Sequence, residues 1–228
     1  MTTSPIRIAI AGAGRMGRSI AARIAAQDGL VLAGTWSRGG DLAAIAETAD
    51  VIVDFSLPVV TDKVFDVVTA LRKPLVCGVT GLNSSQMKRL DGVARDVPLV
   101  YDRNMSQGIT VLDAVVRQVS AALDDRFAVE IEEVHHVHKQ DAPSGTALKL
   151  GDAVSATGQH GEIRYRSERT GEVPGDHRVI FRSPTEVLTL GHSVSTRDVF
   201  ADGALRAARW VLGRRPGRYS MRDVVLGD

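Results

Sequence analysis

Three of the chain's six histidines fall within four positions, in the run Glu133-Val134-His135-His136-Val137-His138-Lys139-Gln140-Asp141-Ala142-Pro143-Ser144-Gly145-Thr146-Ala147. Histidine titrates closest to neutral pH and suits proton transfer. Lys139 supplies a compact charge for a carboxylate. Ser144-Gly145-Thr146 follows a proline and reads as the opening of a helix, whose unbonded N–H groups face a ligand. Gly145 leaves room there for a carboxylate. These parts fit a dicarboxylate pocket with a proton donor at its edge. On pattern alone they equally fit a polar sheet edge followed by a capped helix. An extended run from Phe127 to Val137 puts His135, Val137 and Lys139 on one face, and His136 and His138 on the other. With no cysteine nearby and no H-E-x-x-H spacing, the expectation is no metal site.

A second feature has a different chemistry. Gly12-Ala13-Gly14-Arg15-Met16-Gly17 is G-x-G-x-x-G, placed after an apolar strand and at the start of a helix. Gly12 permits the tight turn, Gly14 lets backbone approach a pyrophosphate, and Gly17 permits close helix–strand packing. Arg15 and Met16 lie in the same loop and are taken with it as cofactor-binding. At the end of the next strand an acid would favour the free ribose hydroxyl of NAD. Here Ser37-Arg38 stands instead, with no acid before Asp41. Arg38 suits a 2′-phosphate, so the reading is NADPH in preference to NADH.

These groups must be held by elements that the apolar pattern outlines. Strands are expected at Ile6 to Ala11, Leu30 to Trp36, Val51 to Phe55, Leu75 to Cys77 and Val97 to Tyr101. Helices are expected at Arg15 to Ala26, Leu42 to Glu47, Val59 to Leu71 and Ser84 to Arg95, the last capped by Ser84. Such alternation is that of a parallel sheet covered on both faces. After about residue 105 the rhythm changes. A longer helix, Gly108 to Leu123, precedes the Phe127 to Val137 strand and a helix from Gly145 to Ala156. Strand-like runs follow at Glu162 to Arg166, Arg178 to Arg182 and Glu186 to Ser195, and a helix from Ala201 to Leu212. The fold class is therefore α/β: a Rossmann-type parallel-sheet domain plus a smaller α+β domain with a mostly antiparallel or mixed sheet. The division expected is 1–107, completed by 198–228, for the dinucleotide, and 108–197 for the substrate.

The bulk numbers exclude other classes. The chain has 228 residues, a net charge of +1 and 4% aromatics, so it carries neither the basic footprint nor the stacking platforms of a nucleic-acid binder. No run approaches the ~20 apolar residues that span a bilayer. The single cysteine, Cys77, suits a reducing compartment, and Met1 to Arg7 lacks a signal-peptide core. A cytoplasmic location is expected.

The histidine–lysine segment resembles the signature of the 4-hydroxy-tetrahydrodipicolinate reductase family, formerly dihydrodipicolinate reductase. Similar motifs stand in family order along essentially the whole chain: G-A-G-R-M-G at Gly12, D-F-S at Asp54, C-G-V-T-G at Cys77, R-N-M-S-Q-G at Arg103, F-A-D-G-A at Phe200 and M-R-D-V at Met221. The resemblance implies hydride transfer from NAD(P)H to a cyclic imine in the diaminopimelate route to lysine. It implies His135 as proton donor and acceptor, and Lys139 as a second donor and carboxylate partner. His136 and Gly145-Thr146 would hold the substrate carboxylates, with Arg197 a further substrate or hinge contact. Gly78, Val79, Thr80 and Arg103, Asn104, Met105, Ser106 would line the nicotinamide half of the cofactor. It also implies a homotetramer built through the second domain. The chain departs from the family pattern in a glycine loop one residue shorter, in Val79 for a threonine, in Ser37 for an acid and in Arg103 for a small residue. Two rivals keep the glycine loop: another two-domain Rossmann reductase, which has no use for the H-H-x-H-K run, and a dinucleotide sensor that dispenses with His135 and Lys139.

Overall fold

The computed structural model describes residues 4–158 and 160–227. The chain divides into two units, Met1–Gln107 with Asp198–Asp228, and Gly108–Arg197. In chain order the first unit carries β1 (Ile6–Ala11), α1 (Arg15–Ala25), β2 (Leu30–Trp36), α2 (Leu42–Glu47), β3 (Val51–Asp54), α3 (Pro58–Leu71), β4 (Leu75–Cys77), α4 (Ser84–Val93) and β5 (Pro98–Tyr101). Next come α5 (Gln107–Ala122), β6 (Ala128–His135), α6 (Gly145–Ser155), β7 (Arg164–Arg169), β8 (Asp176–Arg182) and β9 (Val187–Ser193). The chain then returns to the first unit as α7 (Asp198–Val211), β10 (Gly217–Tyr219) and α8 (Met221–Leu226).

The first unit's strands are parallel, in the order β10-β5-β4-β3-β1-β2. Side chains alternate between faces, and both faces are covered, as a parallel sheet requires. Ala9, Ala11, Ile52, Leu75, Cys77 and Leu99 pack with Leu42, Phe65, Val68 and Leu90 from α2, α3 and α4. Ile8, Ile10, Val51, Val53, Val76 and Val100 pack with Ile20 of α1 and the alanine-rich face of α7. The chain leaves β1 toward β2 on one side and resumes at β3 on the other. The reversal opens a crevice beyond the carboxyl ends of β1 and β3, where open α/β sheets hold ligands.

The second unit is a four-stranded mixed sheet, β7-β6-β8-β9, with β6 and β7 parallel and the other pairs antiparallel. One stripe of β6, Val129, Ile131, Glu133 and His135, points inward. Its first two residues meet Ile109, Leu112 and Val116 of α5 and Ala147, Leu150 and Val154 of α6. The stripe turns polar at its end, so one strand anchors in the core and delivers Glu133 and His135 beside the start of α6.

Several boundaries differ from expectation for local reasons. β6 stops at His135, not Val137, because a turn closes from Lys139 N–H to the His136 carbonyl. The alternation of faces therefore does not extend to Val137 and Lys139. α4 is capped by Asn83 rather than Ser84: the Asn83 side chain accepts from Gln86 N–H, and Gln86 reaches back to Asn83 N–H. β7 lies two to three residues later than Glu162 to Arg166, since its register is set by pairing with β6 from Glu130 to His135. β10 and α8 have no counterpart among the elements expected from the apolar pattern, although Ser220 and Asp223 form a capping box that marks the start of α8.

Candidate active site

Two groups of residues have the makings of a site, one in each unit. In the first unit a cleft of about 340 Å³ is lined by Gly12, Ala13, Gly14, Trp36, Ser37, Arg38, Phe55, Ser56, Leu57, Val59 and Val60, at the ends of β1, β2 and β3. Gly12 has φ +108°, and a Cβ there would sit 2.7 Å from the Phe55 carbonyl oxygen. A Cβ on Gly17 would lie 1.8 Å from the Gly12 carbonyl oxygen. Gly14 is the opposite case, with nothing within 4 Å of such an atom. Two glycines are thus forced by the protein's own packing, while the third faces open space at the helix start. Gly14 caps α1 without a side-chain hydrogen bond, so the first N–H groups of the helix remain available to an anion. These features fit the phosphates of a dinucleotide.

Arg38 is exposed on the cleft wall, and Asp41 is occupied in capping α2 through Ala44 N–H. The Trp36 indole donates to the Gly40 carbonyl at 3.0 Å and stiffens the loop bearing Arg38. Asp54, fully buried at the end of β3, accepts from Ser56 N–H at 2.9 Å and shapes the opposite wall. Burial pushes its carboxyl up to about 6, only partly offset by the Ser56 hydrogen bonds. Gly78 lies against the Phe55 ring, which a Cβ would meet at 2.4 Å. Gly78, Val79 and Thr80 follow β4, and Arg103, Asn104, Met105 and Ser106 follow β5, along the same edge of the sheet. Val79 and Met105 point into the core at 2% exposure, so they offer a ligand only backbone. Met16 also packs against the core, whereas Arg15 and Thr80 are exposed.

In the second unit the end of β6 gathers charge. His135 is hydrogen bonded through Nδ1 to the Glu133 carboxylate. Arg169 grips the same carboxylate with both terminal nitrogens, at 2.9 and 2.8 Å. Ser144 N–H donates to it at 3.2 Å, and the Ser144 hydroxyl caps α6 by accepting from Ala147 N–H. His177, paired with Glu133 across β6 and β8, packs edge-on to His135 with centroids 5.1 Å apart and lies 3.1 Å from Ser144 Oγ. Burial brings His177 down to about 4, so it is neutral near pH 7. Burial works to raise Glu133, but hydrogen bonds from Arg169, Ser167 and His135 outweigh it and bring the group down to about 2. Burial also lowers His135, against the opposing pull of Glu133.

Of the residues singled out from sequence, His135, Lys139, Gly145 and Thr146 fall in this cluster or on the loop and helix start joined to it. Lys139 Nζ contacts both carboxylate oxygens of Asp141, at 2.7 and 2.9 Å. A Cβ on Gly145 would meet nothing within 4 Å, so there is room beside the start of α6, although Ser144 already caps that helix through Ala147 N–H. His136 turns away from His135 and meets Arg197, 3.1 Å from its Nε2. Glu133, Arg169 and His177 were not singled out from the sequence. Glu133 carries a signal in being a charged residue in phase with Val129 and Ile131 on a buried stripe; Arg169 carries none, being 36 positions from its partner.

Comparison with known proteins bears on both units. The family model described as "Dihydrodipicolinate reductase, N-terminus" matches residues 6–105, and "Dihydrodipicolinate reductase, C-terminus" matches 108–225. The chain belongs to the dihydrodipicolinate reductase family. A 4-hydroxy-tetrahydrodipicolinate reductase of Xanthomonas campestris is 40% identical over 242 residues, covering 99% of this chain and all of the relative. That of Parvibaculum lavamentivorans is 39% identical over 267 residues, with 98% of each chain covered. The solved structure of a dipicolinate-bound dihydrodipicolinate reductase from Paenisporosarcina superposes with a TM-score of 0.80 at 20% identity, covering 96% of this chain and 99% of that one. The family's fold, a parallel nucleotide-binding sheet joined to a mixed four-stranded sheet, is the one seen here.

Proposed function

We propose that the chain reduces 4-hydroxy-tetrahydrodipicolinate, by way of dihydrodipicolinate, to tetrahydrodipicolinate in the diaminopimelate route to lysine. As a member of the dihydrodipicolinate reductase family it is an NAD(P)H-dependent oxidoreductase. The observation that carries the substrate reading is the carboxylate-paired His135 near a helix start with room beside it, in a chain that matches such reductases along its whole length. The dipicolinate bound to the Paenisporosarcina enzyme is a small dicarboxylate, in keeping with that choice.

Gly12, Gly14 and Gly17 with the first turn of α1 would hold the cofactor phosphates, and Gly78 to Thr80 with Arg103 to Ser106 its nicotinamide half. Bound there, the reduced nicotinamide supplies hydride. His135 gives a proton to the ring that has gained negative charge. Lys139 and the N–H groups at Gly145 and Thr146 orient carboxylates, with Arg197 as a second cation and His136, whose Nε2 accepts from it, beside it. For Lys139 this means exchanging the Asp141 carboxylate for that of the substrate.

Two finer readings belong to the same proposal. Arg38, with no acid free beside it, supports a preference for NADPH over NADH. Assembly into a homotetramer through the second unit, which the family resemblance implies, is the other. Light scattering on the purified protein tests the latter. No described helix is long and apolar enough to cross a membrane, and the buried lone Cys77 is in keeping with a cytoplasmic enzyme. The decisive experiment supplies the upstream synthase product and follows the reduced-nicotinamide band at roughly 340 nm. Substrate-dependent loss of that band is the expected outcome; its absence with either cofactor refutes the proposal.

A further inference from the structure

The His135 ring is the only proposed proton donor that is nearly buried, at 7% exposure, and its orientation is fixed by a partner rather than by solvent. That partner, Glu133, is itself 2% exposed and engaged on every side. One oxygen faces His135 Nδ1 and an Arg169 N–H; the other accepts from the second Arg169 nitrogen and from Ser144 N–H. A buried carboxylate without a cationic partner is strongly unfavourable, and a bidentate guanidinium is the geometry that offsets it. Arg169 does more than neutralise. Its Nε donates to the Lys139 carbonyl at 3.3 Å, and a terminal nitrogen donates to the Asp141 carbonyl. The guanidinium therefore clamps the loop that carries Lys139 to the strand that carries His135. Parallel pairing places Arg169 directly opposite His135, with Thr170 N–H bonded to the His135 carbonyl at 2.9 Å.

We infer that Glu133 and Arg169 form a positioning pair for the reductase reaction: the carboxylate holds His135 as the Nδ1–H tautomer and fixes the start of α6, while the guanidinium sets the Lys139 loop. This rests on the reductase reading above. An Nδ1–H held by carboxylate leaves Nε2 as the atom that gains and gives up the transferred proton. Among the described residues Nε2 has no hydrogen-bond partner, and it faces Gly175, where a Cβ would approach to 2.9 Å. The absence of a side chain at 175 keeps that nitrogen from being covered. After proton donation the ring is neutral, still bonded through Nδ1–H, and ready to be reprotonated at Nε2. Loss of Glu133 removes the charge that favours the imidazolium, so His135 would hold its proton less well.

The test combines kinetics with ring NMR. In Glu133→Gln, kcat should fall on the order of 10²-fold with the substrate KM changed much less, and the basic limb of the pH–rate profile should move to lower pH. Glu133→Asp should recover part of the rate. Arg169→Lys keeps a charge but not the fork, and should raise the substrate KM through the loosened Lys139 loop. An unshifted profile in a folded, nucleotide-binding Glu133→Gln protein would overturn the inference. Long-range ¹⁵N–¹H spectra of the wild-type histidine rings decide the same point without a variant. They should show His135 protonated at Nδ1 in its neutral form, and a bare Nδ1 overturns the inference. A wild-type protein without turnover would refute the reductase reading instead, and the ring spectra would still judge the pair.

Discussion

The two units reach readiness for a ligand in opposite ways. In the first, the cleft is made by what is missing: Gly12 and Gly17 lack side chains because neighbouring backbone occupies the space, and Gly14 lacks one where space is open. What it offers an anion is backbone N–H groups, which need no partner to hold them ready. In the second, the chemistry belongs to ionisable side chains, and each is held by another: His135 by Glu133, Glu133 by Arg169, Lys139 by Asp141. The first kind of site tolerates surface change but not added bulk. The second tolerates bulk better than loss of a charge. The contrast explains why one was legible in a six-residue motif and the other only in part.

Substitutions on either side put this contrast at risk. The largest effect is expected from His135→Gln, with turnover down by ~10²-fold or more and nucleotide affinity, measured by fluorescence titration, unchanged. Equal loss of nucleotide affinity would mean that the two units are not functionally separable. Gly12→Ala should do the reverse. The backbone conformation at +108° and the contact with Phe55 cost about 1–3 kcal/mol, read as a lower melting temperature together with weakened nucleotide binding. Lys139→Ala should raise the substrate KM and lower kcat; lost turnover at unchanged KM would make it a proton donor alone. Arg38→Ala should raise the KM for NADPH about tenfold, the worth of one charge-assisted hydrogen bond, and leave that for NADH alone. The smallest effect concerns pH. His177 has its folded value depressed from 6.5 to about 4, so the unfolded chain binds more protons between these limits. Stability from this group is present above pH 6.5 and is lost as pH falls toward 4. Denaturant melts of His177→Gln should show a flatter pH dependence across that window.

Contiguous residues carried most of what was legible. The strand–glycine–helix unit announces itself because turn, phosphate cradle and packing all depend on neighbours in the chain. The parallel sheet was legible because strands buried on both faces are short apolar runs such as Val51–Asp54. Cross-strand relations were not legible. Which residue stands opposite His135 depends on the register of β7, and nothing within Arg164–Arg169 states that register. The exposed pattern of that strand, with few apolar side chains, also hid its limits. Ser84 is as good a capping type as Asn83, so residue type alone does not separate them; the choice falls to Asn83 because Gln86 stands three residues after it.

The return of the chain to its first unit has a consequence for how that unit is made. Ala201, Ala204, Leu205, Ala207, Ala208 and Val211 of α7 supply one wall of its core, and β10 completes its sheet. All of these emerge from the ribosome after the whole of residues 108–197. A nascent chain halted at Gln107 would cover this sheet face with α1 alone and leave the part over β3, β4 and β5, with Val53, Val76 and Val100, open until α7 is made. The later-encoded unit, contiguous in sequence, can therefore complete its core before the first unit, whose α7, β10 and α8 are made after it.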